Sequence, residues 1–511
     1  MSAPRVLLVN PRMCSRRSMR LPLSLLSLAA VLEGRYEWEI LDGNRLDDLD
    51  AAIAAALQRS PRAVAAISVM PGPQVAPAIA ASLAIRARRP DVPIVWGGYF
   101  PSLYADAAIN APYVDYVARG AGEDTLLELL AVLPDADGAS ASSAVADDLG
   151  GIAGLTWKNR ERVEHNAARP FVDPDARPPL PYHRLEGLPD YLRPTYMGAR
   201  TAVHQAAIGC RYRCSFCGVV SVYNGHTRLG GPARLEAALR TLRDGWHADA
   251  VQFYDNNFFD HEDASVPLLE VLERAGLPSW CYARADTMAK FSASTWALVR
   301  RSGLRMAYIG AEAGSDAVLR SMKKGTRVEH TLEVAARCRE AGVVPEFSFV
   351  LGGPEDPEAE IERTFAFIRQ VKRLHPQCDV VLYFYSPTPQ RDRAWADRDV
   401  ALLPSLATYG PDGPPLPTTP EEWTQPQWIR YVCHQDAPWL SSRMRQRVQD
   451  FAQVLGCRFP TVQDHRTPAW GRSVLAALAS WRYASGVYGR PIELDLARRL
   501  IPLKRPEIDG L

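Results

Sequence analysis

The sequence predicts an α/β protein in three parts: a doubly wound parallel sheet over residues 1–150, a partial (β/α)6 barrel over 199–390 and a mainly helical domain over 391–511. A hairpin and proline-rich linker at 151–198 joins the first two. Three observations carry this. Short apolar runs at 5–10, 38–41, 64–70, 94–98 and 114–118 alternate with helical segments near 22–34, 47–58, 74–88 and 123–132. A second strand–helix series starts at residue 200. At the end of its first apolar stretch, Val203–Ile208, stands a C-x3-C-x2-C array of Cys210, Cys214 and Cys217.

A chain of 511 residues is too long for one compact core, and at roughly 150 residues per domain it accommodates three. The net charge of +1 gives no bulk electrostatic reason for a nucleic-acid partner, so function has to come from a site. Nine cysteines, three clustered and six scattered, make no secreted disulfide framework in a chain this long and suit a reducing, cytoplasmic setting. Ser15–Arg20 followed by the apolar run Leu21–Leu32 imitates a signal sequence. That run has 12 residues, too few to span a bilayer, and it follows the buried-strand pattern Arg5–Asn10. It is therefore predicted as a helix packed on the sheet, and no integral membrane segment is expected.

In a doubly wound sheet a ligand sits beyond the carboxyl ends of the strands. Those ends carry Asp42-Gly43-Asn44, Ser68, Gly97-Gly98 and Arg119-Gly120-Ala121-Gly122-Glu123. Paired glycines let a large ligand approach the backbone, although glycine at a strand end is as readily a turn residue. No G-x-G-x-x-G opens the first helix, so a dinucleotide is not favoured. Residues 134–150, rich in Ala, Ser, Asp and Gly, read as a flexible link. Gly154–Lys158 and Arg162–His165 read as a hairpin, and the prolines from Pro170 to Pro194 as an extended connector.

Barrel strands are predicted at 202–208, 250–255, 280–285, 305–311, 346–351 and 380–385, with helices at 232–245, 263–275, 292–302, 328–341 and 357–373. Such a barrel places its chemistry at the carboxyl ends of its strands, and the cysteine array follows the first of them. Three thiolates within eight residues suit zinc or an iron–sulfur cluster and suit magnesium or calcium poorly. A closed zinc site needs a fourth ligand, which His204 or His226 would have to supply. A 4Fe-4S cube on three cysteines leaves one iron open to something other than protein.

The array, at the end of a strand that opens a βα series, resembles the cluster motif of the radical S-adenosylmethionine (SAM) enzymes, whose partial TIM-type barrel the six units match. The resemblance implies that the open iron binds SAM, with Phe216 beside the adenine. It further implies SAM contacts from Asp255 and Asn257 after the second strand, Arg284 after the third, Glu312 in Ile309–Ser315 after the fourth, and Gly352 in Leu351-Gly352-Gly353 after the fifth. Ser386-Pro387-Thr388-Pro389 resembles the turn that ends many of these barrels. Asp and Asn at such positions also serve as turn or helix-capping residues.

The N-terminal pieces Val6–Pro11, Leu21–Ala29, Ile40–Asn44, Val95–Tyr99 and Tyr116–Glu123 resemble the Rossmann-like cobalamin-binding domain that precedes the barrel in the B12-dependent class. This implies cobalamin contacts from Asn44, Ser68, Gly97, Gly98, Gly120 and Glu123. No histidine precedes His165, so the D-x-H-x-x-G imidazole of many cobalamin proteins is missing; the radical subclass commonly lacks it. A domain that binds no cofactor is the alternative. A tRNA methylthiotransferase is disfavoured, because that group has a further three-cysteine N-terminal domain and here only Cys14 precedes Cys210.

Beyond residue 390, Trp423, Trp428, Trp439, Trp470 and Trp481 either cap an apolar substrate over the barrel mouth or pack a small helical domain. The resemblance implies reductive cleavage of SAM at a 4Fe-4S cluster, hydrogen abstraction from substrate, and methyl delivery through cobalamin: C-methylation of an unactivated carbon in a small molecule or lipid. The alternatives are a radical oxidative cyclase or rearrangement enzyme, or a zinc-stabilised binding protein. The enzyme would need an external one-electron donor of the flavodoxin or ferredoxin type, and no nucleic acid.

Overall fold

The computed structural model describes residues 3–133, 143–160, 162–223, 225–353, 356–386, 416–435, 440–464, 467–501 and 503. The expected residues Pro387, Thr388, Pro389 and Trp439 lie outside these.

In the N-terminal region, strands β1 (Arg5–Asn10), β2 (Trp38–Asp42), β3 (Ala63–Ser68), β4 (Ile94–Gly97) and β5 (Tyr116–Ala118) form a parallel sheet in the order β2-β1-β3-β4-β5. Strand β1 shows why both faces are covered: Leu7 and Val9 enter one apolar cluster, Val6 and Leu8 another. Helices Leu49–Arg59 and Val75–Arg88 supply the first cluster, and helices Leu23–Leu32 and Glu123–Val132 the second. The signal-like run is thus a buried helix of the core, with Leu25, Leu26, Ala29 and Leu32 at most 1% exposed.

Two differences from expectation appear here. The expected hairpin, β6 (Leu155–Asn159) and β7 (Arg162–His165), does not stay in the linker: β6 pairs antiparallel with β5 and makes a seven-stranded sheet. Its buried Leu155 and Trp157 belong to the same apolar cluster as Leu126 and Leu129, which draws it onto the sheet edge. Within the expected 134–150 link, Ser143–Gly151 is helical.

The second sheet is all parallel, in the order β15-β14-β13-β12-β11-β8. Its strands are β8 (Thr201–His204), β11 (Ala250–Phe253), β12 (Ser279–Arg284), β13 (Leu304–Glu312), β14 (Val344–Leu351) and β15 (Asp379–Phe384). Six parallel strands with helices between them form the expected open barrel. Outward residues such as Phe347, Phe349 and Leu351 pack under the helices, while Trp280, Tyr282 and Tyr308 turn inward and stack edge to face. The first strand is shorter than the predicted 202–208. After His204 the chain leaves the sheet, and β9 (Ala207–Gly209) pairs antiparallel with β10 (Thr227–Leu229).

The region after 391 is not one body. Trp423 and Trp428 pack on the N-terminal sheet's helical face, with Trp423 4.0 Å from the Tyr104 ring, centroid to centroid. Helices Ser442–Arg458, Ala469–Ser485 and Ile492–Leu500 lie against barrel helix Pro357–Leu374 and share its core, where Phe451 stacks on Phe365 at 3.8 Å. Trp470 and Trp481 face outward at 65% and 53% exposure, so none of these four tryptophans covers the barrel mouth.

Candidate functional site: a cysteine loop beside an interdomain cleft

Gly209 turns the chain from β9 into the cysteine loop with φ +75°, and a Cβ there would stand 2.3 Å from the His226 carbonyl oxygen. Only glycine makes that turn. Ser215 N donates to Met322 O at 2.9 Å, which ties the loop to the segment after β13. Burial raises the thiol of Cys210, and it pushes Cys217 up to about 12 with help from neighbouring Cys214 and Cys210. Thiols held neutral this way ionise when a metal supplies the compensating positive charge.

The loop faces a buried set of charges. Arg284 donates to both Asp286 oxygens at 3.0 and 3.1 Å, to the Lys324 carbonyl, and toward Cys214 Sγ at 3.7 Å, while its guanidinium lies 3.4 Å from the Tyr212 ring centroid. Lys324 Nζ pairs with Glu312 at 2.6 Å. Burial opposes the charge of both cations, but Asp286 and Cys214 hold Arg284, and Glu312 holds Lys324, above their usual values. The thiols therefore sit beside two fixed positive charges, which favours an anionic thiolate cluster. Among the described residues no three His, Cys, Asp or Glu side chains are arranged as one ion's shell; cysteines that hold different corners of a cube stand apart. Of the suggested fourth zinc ligands, His204 bonds Tyr182 OH at 3.0 Å and His226 stacks on Phe171.

Glu312 adopts φ +62° at a bulge between β13 and β14, a strained backbone that aims its carboxylate at Lys324. Phe216 packs on Met322, Val350 and Tyr385, three residues that also line a small pocket with Gly352. Asp255 accepts from Ala207 N through one oxygen; its other oxygen and both polar atoms of Asn257 are buried without partners. Orphaned polar atoms at a strand's carboxyl end fit a polar ligand such as SAM. Arg284 differs from expectation: all three of its nitrogens are engaged by the protein, so it stands beside a cluster cysteine in place of offering an open contact to SAM.

Burial raises the Asp255 carboxyl to about 7. Between the ordinary carboxylate value and pH 7 the folded state then keeps a proton that the unfolded chain releases, so stability falls as pH rises, by up to about 1.4 kcal/mol per pH unit. Denaturant titrations of ligand-free protein should show that fall between pH 4 and 7 and not above. Asp255→Asn should gain on wild type across that window; parallel curves would contradict the assignment.

Beyond the carboxyl ends of the first sheet opens a cleft that encloses about 1510 Å³ of non-atom space, open solvent at its mouth included. Ser68, Gly97, Gly98, Gly120 and Glu123 all line it. Asn44 does not. Its side-chain oxygen accepts from Met13 N and Cys14 N, and its amide donates to Asp42, so it braces the loop after β1. The opposite wall comes from the barrel: His204, Gln205, Ala206 and Ile208, just ahead of the cysteines, and Val222 and Tyr223, just behind them. Burial drops His204 to about 4, so this wall is uncharged at that position near neutrality. Tyr99, which opens the short helix after β4, accepts from Asn256 Nδ2 at 3.1 Å, and Asn256 accepts from Gly209 N at 3.2 Å, which links the cleft wall to the cysteine turn.

Sequence reasoning missed Lys324. The lysine follows Lys323 and precedes Gly325, a pattern that reads as a solvated helix end. Asn256 stands in the polar run Asp255-Asn256-Asn257 after the second barrel strand, but its bonds to Gly209 and Tyr99 are tertiary and leave no signal in the sequence.

A B12-binding domain model matches residues 17–130 and a radical SAM superfamily model matches residues 206–368. The chain belongs to the cobalamin-dependent radical SAM enzymes. It is 23% identical, over 68% of its length and 73% of the relative's, to an uncharacterized methyltransferase of Pyrococcus horikoshii. It is 24% identical to the anaerobic magnesium-protoporphyrin IX monomethyl ester cyclase of Synechocystis, over 61% of this chain and 58% of that one. Its fold is similar to that of the radical SAM methyltransferase TsrM from Kitasatospora setae with cobalamin and a [4Fe-4S] cluster bound, with TM-score 0.64, 19% identity, and 94% of this chain and 99% of that chain covered. As a cobalamin-dependent radical SAM enzyme the protein uses a 4Fe-4S cluster, SAM and cobalamin. No helix among the described residues is long and apolar enough to cross a membrane.

Proposed function

We propose that this enzyme methylates an unactivated carbon of a small, largely apolar molecule or lipid. The carrying observation is the shared wall: the residues flanking the cysteine array on both sides also line the cleft that faces the glycines of the first sheet. A corrin seated there would adjoin the cluster loop, so both cofactors would open on one substrate space. When bound, the cluster with SAM supplies hydrogen abstraction and the corrin supplies a methyl group.

Cys210, Cys214 and Cys217 would hold three irons and leave the fourth open. Asn257 and the free oxygen of Asp255 offer hydrogen-bond partners for SAM's amino and carboxylate groups; Phe216 and Gly352 would bound its adenine, and Glu312 would be held in place by Lys324. Gly97 and Gly98 let the corrin approach the backbone, while Ser68, Gly120 and Glu123 present polar contacts, with Glu123 oriented by Ser27 Oγ at 2.6 Å. The apolar barrel wall, including Ile208 and Val222, excludes water from the reacting carbon.

Anaerobic turnover with a reductant and SAM carrying a deuterated methyl group tests this. A product in which one hydrogen of the substrate is replaced by CD3 supports the reading. A product that has lost hydrogens and carries no deuterium would instead favour oxidative cyclisation, a second reading motivated by the cyclase relative.

A further inference from the structure

Eight of the eleven exposed large apolar side chains among the described residues fall between Trp470 and Leu500. They belong to a helical hairpin, Ala469–Ser485 and Ile492–Leu500. The first helix is inverted relative to an ordinary surface helix. Every exposed position along it is Ala, Ser, Val, Leu or Trp; of its two arginines Arg472 is half-buried, and Arg482 is buried, paired with Glu493 and bonded to the carbonyls of residues 487, 489 and 490. Trp470, Val474, Leu478 and Trp481 form its outward stripe. The second helix runs antiparallel beside it: Glu493 at its start meets Arg482, and Ile501 after its end abuts Gly471. It adds Ile492, Leu496 and Leu500, the last 86% exposed. An apolar face this concentrated marks a surface that meets something other than water.

Around it stand Arg472, Arg490, Arg498 and Arg499, whose side chains make no ion pair among the described residues, against a single exposed acid on the hairpin's two helices, Asp495, which accepts from Gln453 at 2.7 Å. This rim selects the occupant. A second copy on a twofold axis would set the same patch against itself, arginine rim to arginine rim. An electron donor has to reach the cluster, yet the hairpin packs on helix Pro357–Leu374, beside β15, at the opposite edge of the barrel sheet from β8, which leads to the cysteines. An anionic lipid surface satisfies both features: tryptophans and branched aliphatics enter the acyl boundary, and the arginines extend to headgroup phosphates. We propose that this hairpin seats the enzyme on the interface of an anionic bilayer, lying on the membrane without spanning it.

The test is co-sedimentation of the full-length protein with vesicles of phosphatidylcholine alone and of phosphatidylcholine mixed with phosphatidylglycerol. Wild type should bind the mixed vesicles at least about tenfold better than the neutral ones. Trp470→Ser/Trp481→Ser/Leu496→Ser should lower binding to the mixed vesicles by about tenfold or more while circular dichroism and iron content stay unchanged. Arg498→Gln/Arg499→Gln should remove much of the preference for anionic lipid and keep the neutral-vesicle binding. Wild type that stays in the supernatant with anionic vesicles overturns the proposal. So does binding that the triple variant retains, or a lipid-free dimer dissolved by the same substitutions, which would assign the face to a second copy.

Discussion

Arg284→Leu is expected to destabilise the ligand-free protein by about 3–5 kcal/mol, the usual cost of leaving one partner of a buried ion pair alone. Asp286 is 3% exposed and Arg284 5%, so water cannot replace the lost guanidinium. The Lys324 carbonyl and the Tyr212 ring lose their partner in the same step. Arg284→Lys should recover little, because an ammonium supplies neither the two parallel bonds to Asp286 nor the planar stack on Tyr212. A second effect follows from the 3.7 Å approach to Cys214 Sγ. Removing a positive charge there favours the oxidised cluster, so the midpoint potential of reconstituted Arg284→Leu should move to more negative values. Denaturant unfolding and redox titration read the two effects separately; wild-type stability in the variant would show that the buried cluster of charges is mis-assigned.

Gly98→Val should empty the cleft without touching the cysteines. Gly98 has φ +99° and ψ −166°, a backbone that side chains other than glycine's essentially never adopt, and a Cβ there would stand 2.9 Å from the Val69 oxygen and 3.1 Å from its nitrogen. The obstruction is backbone, which cannot swing aside, so the strand-end turn has to move. Cobalamin affinity should fall by at least about tenfold, equivalent to roughly 1.4 kcal/mol, while iron incorporation stays at the wild-type level. Gly97→Ala is the control for folding: its added methyl meets nothing nearer than 3.7 Å, so its thermal unfolding should match wild type. A Gly98→Val protein that binds cobalamin normally would move the corrin site elsewhere.

Much of the architecture was legible because strand burial writes itself as uninterrupted apolar runs: Val6–Val9 has both alternations buried, on two faces of one sheet. The cysteine spacing was legible because soft ligands in register have few other uses. The break after His204 was not. Val203–Ile208 is apolar throughout, and only the tertiary link from Asp255 to Ala207 N, together with the turn at Gly209, shows where the strand leaves the sheet. Trp423 illustrates a different limit. An aromatic residue in a short helix announces burial without naming its surface, and the partners proved to be Phe100 and Tyr104, in and at the end of the short helix after β4, more than 300 residues earlier. Asn44 sat at a strand end and looked like a ligand contact, yet three hydrogen bonds to its own and the neighbouring loop consume its side chain. Lys324 was invisible because a lysine pair reads as solvated until a buried Glu312 is found opposite it.

The most direct test of the account is iron and cobalamin quantitation on anaerobically reconstituted protein, wild type against Cys210→Ala/Cys214→Ala/Cys217→Ala. The account predicts about four irons and one cobalamin per wild-type chain, with the iron lost and the cobalamin kept in the variant. Iron retained without the three cysteines, or cobalamin absent from wild type, would contradict it.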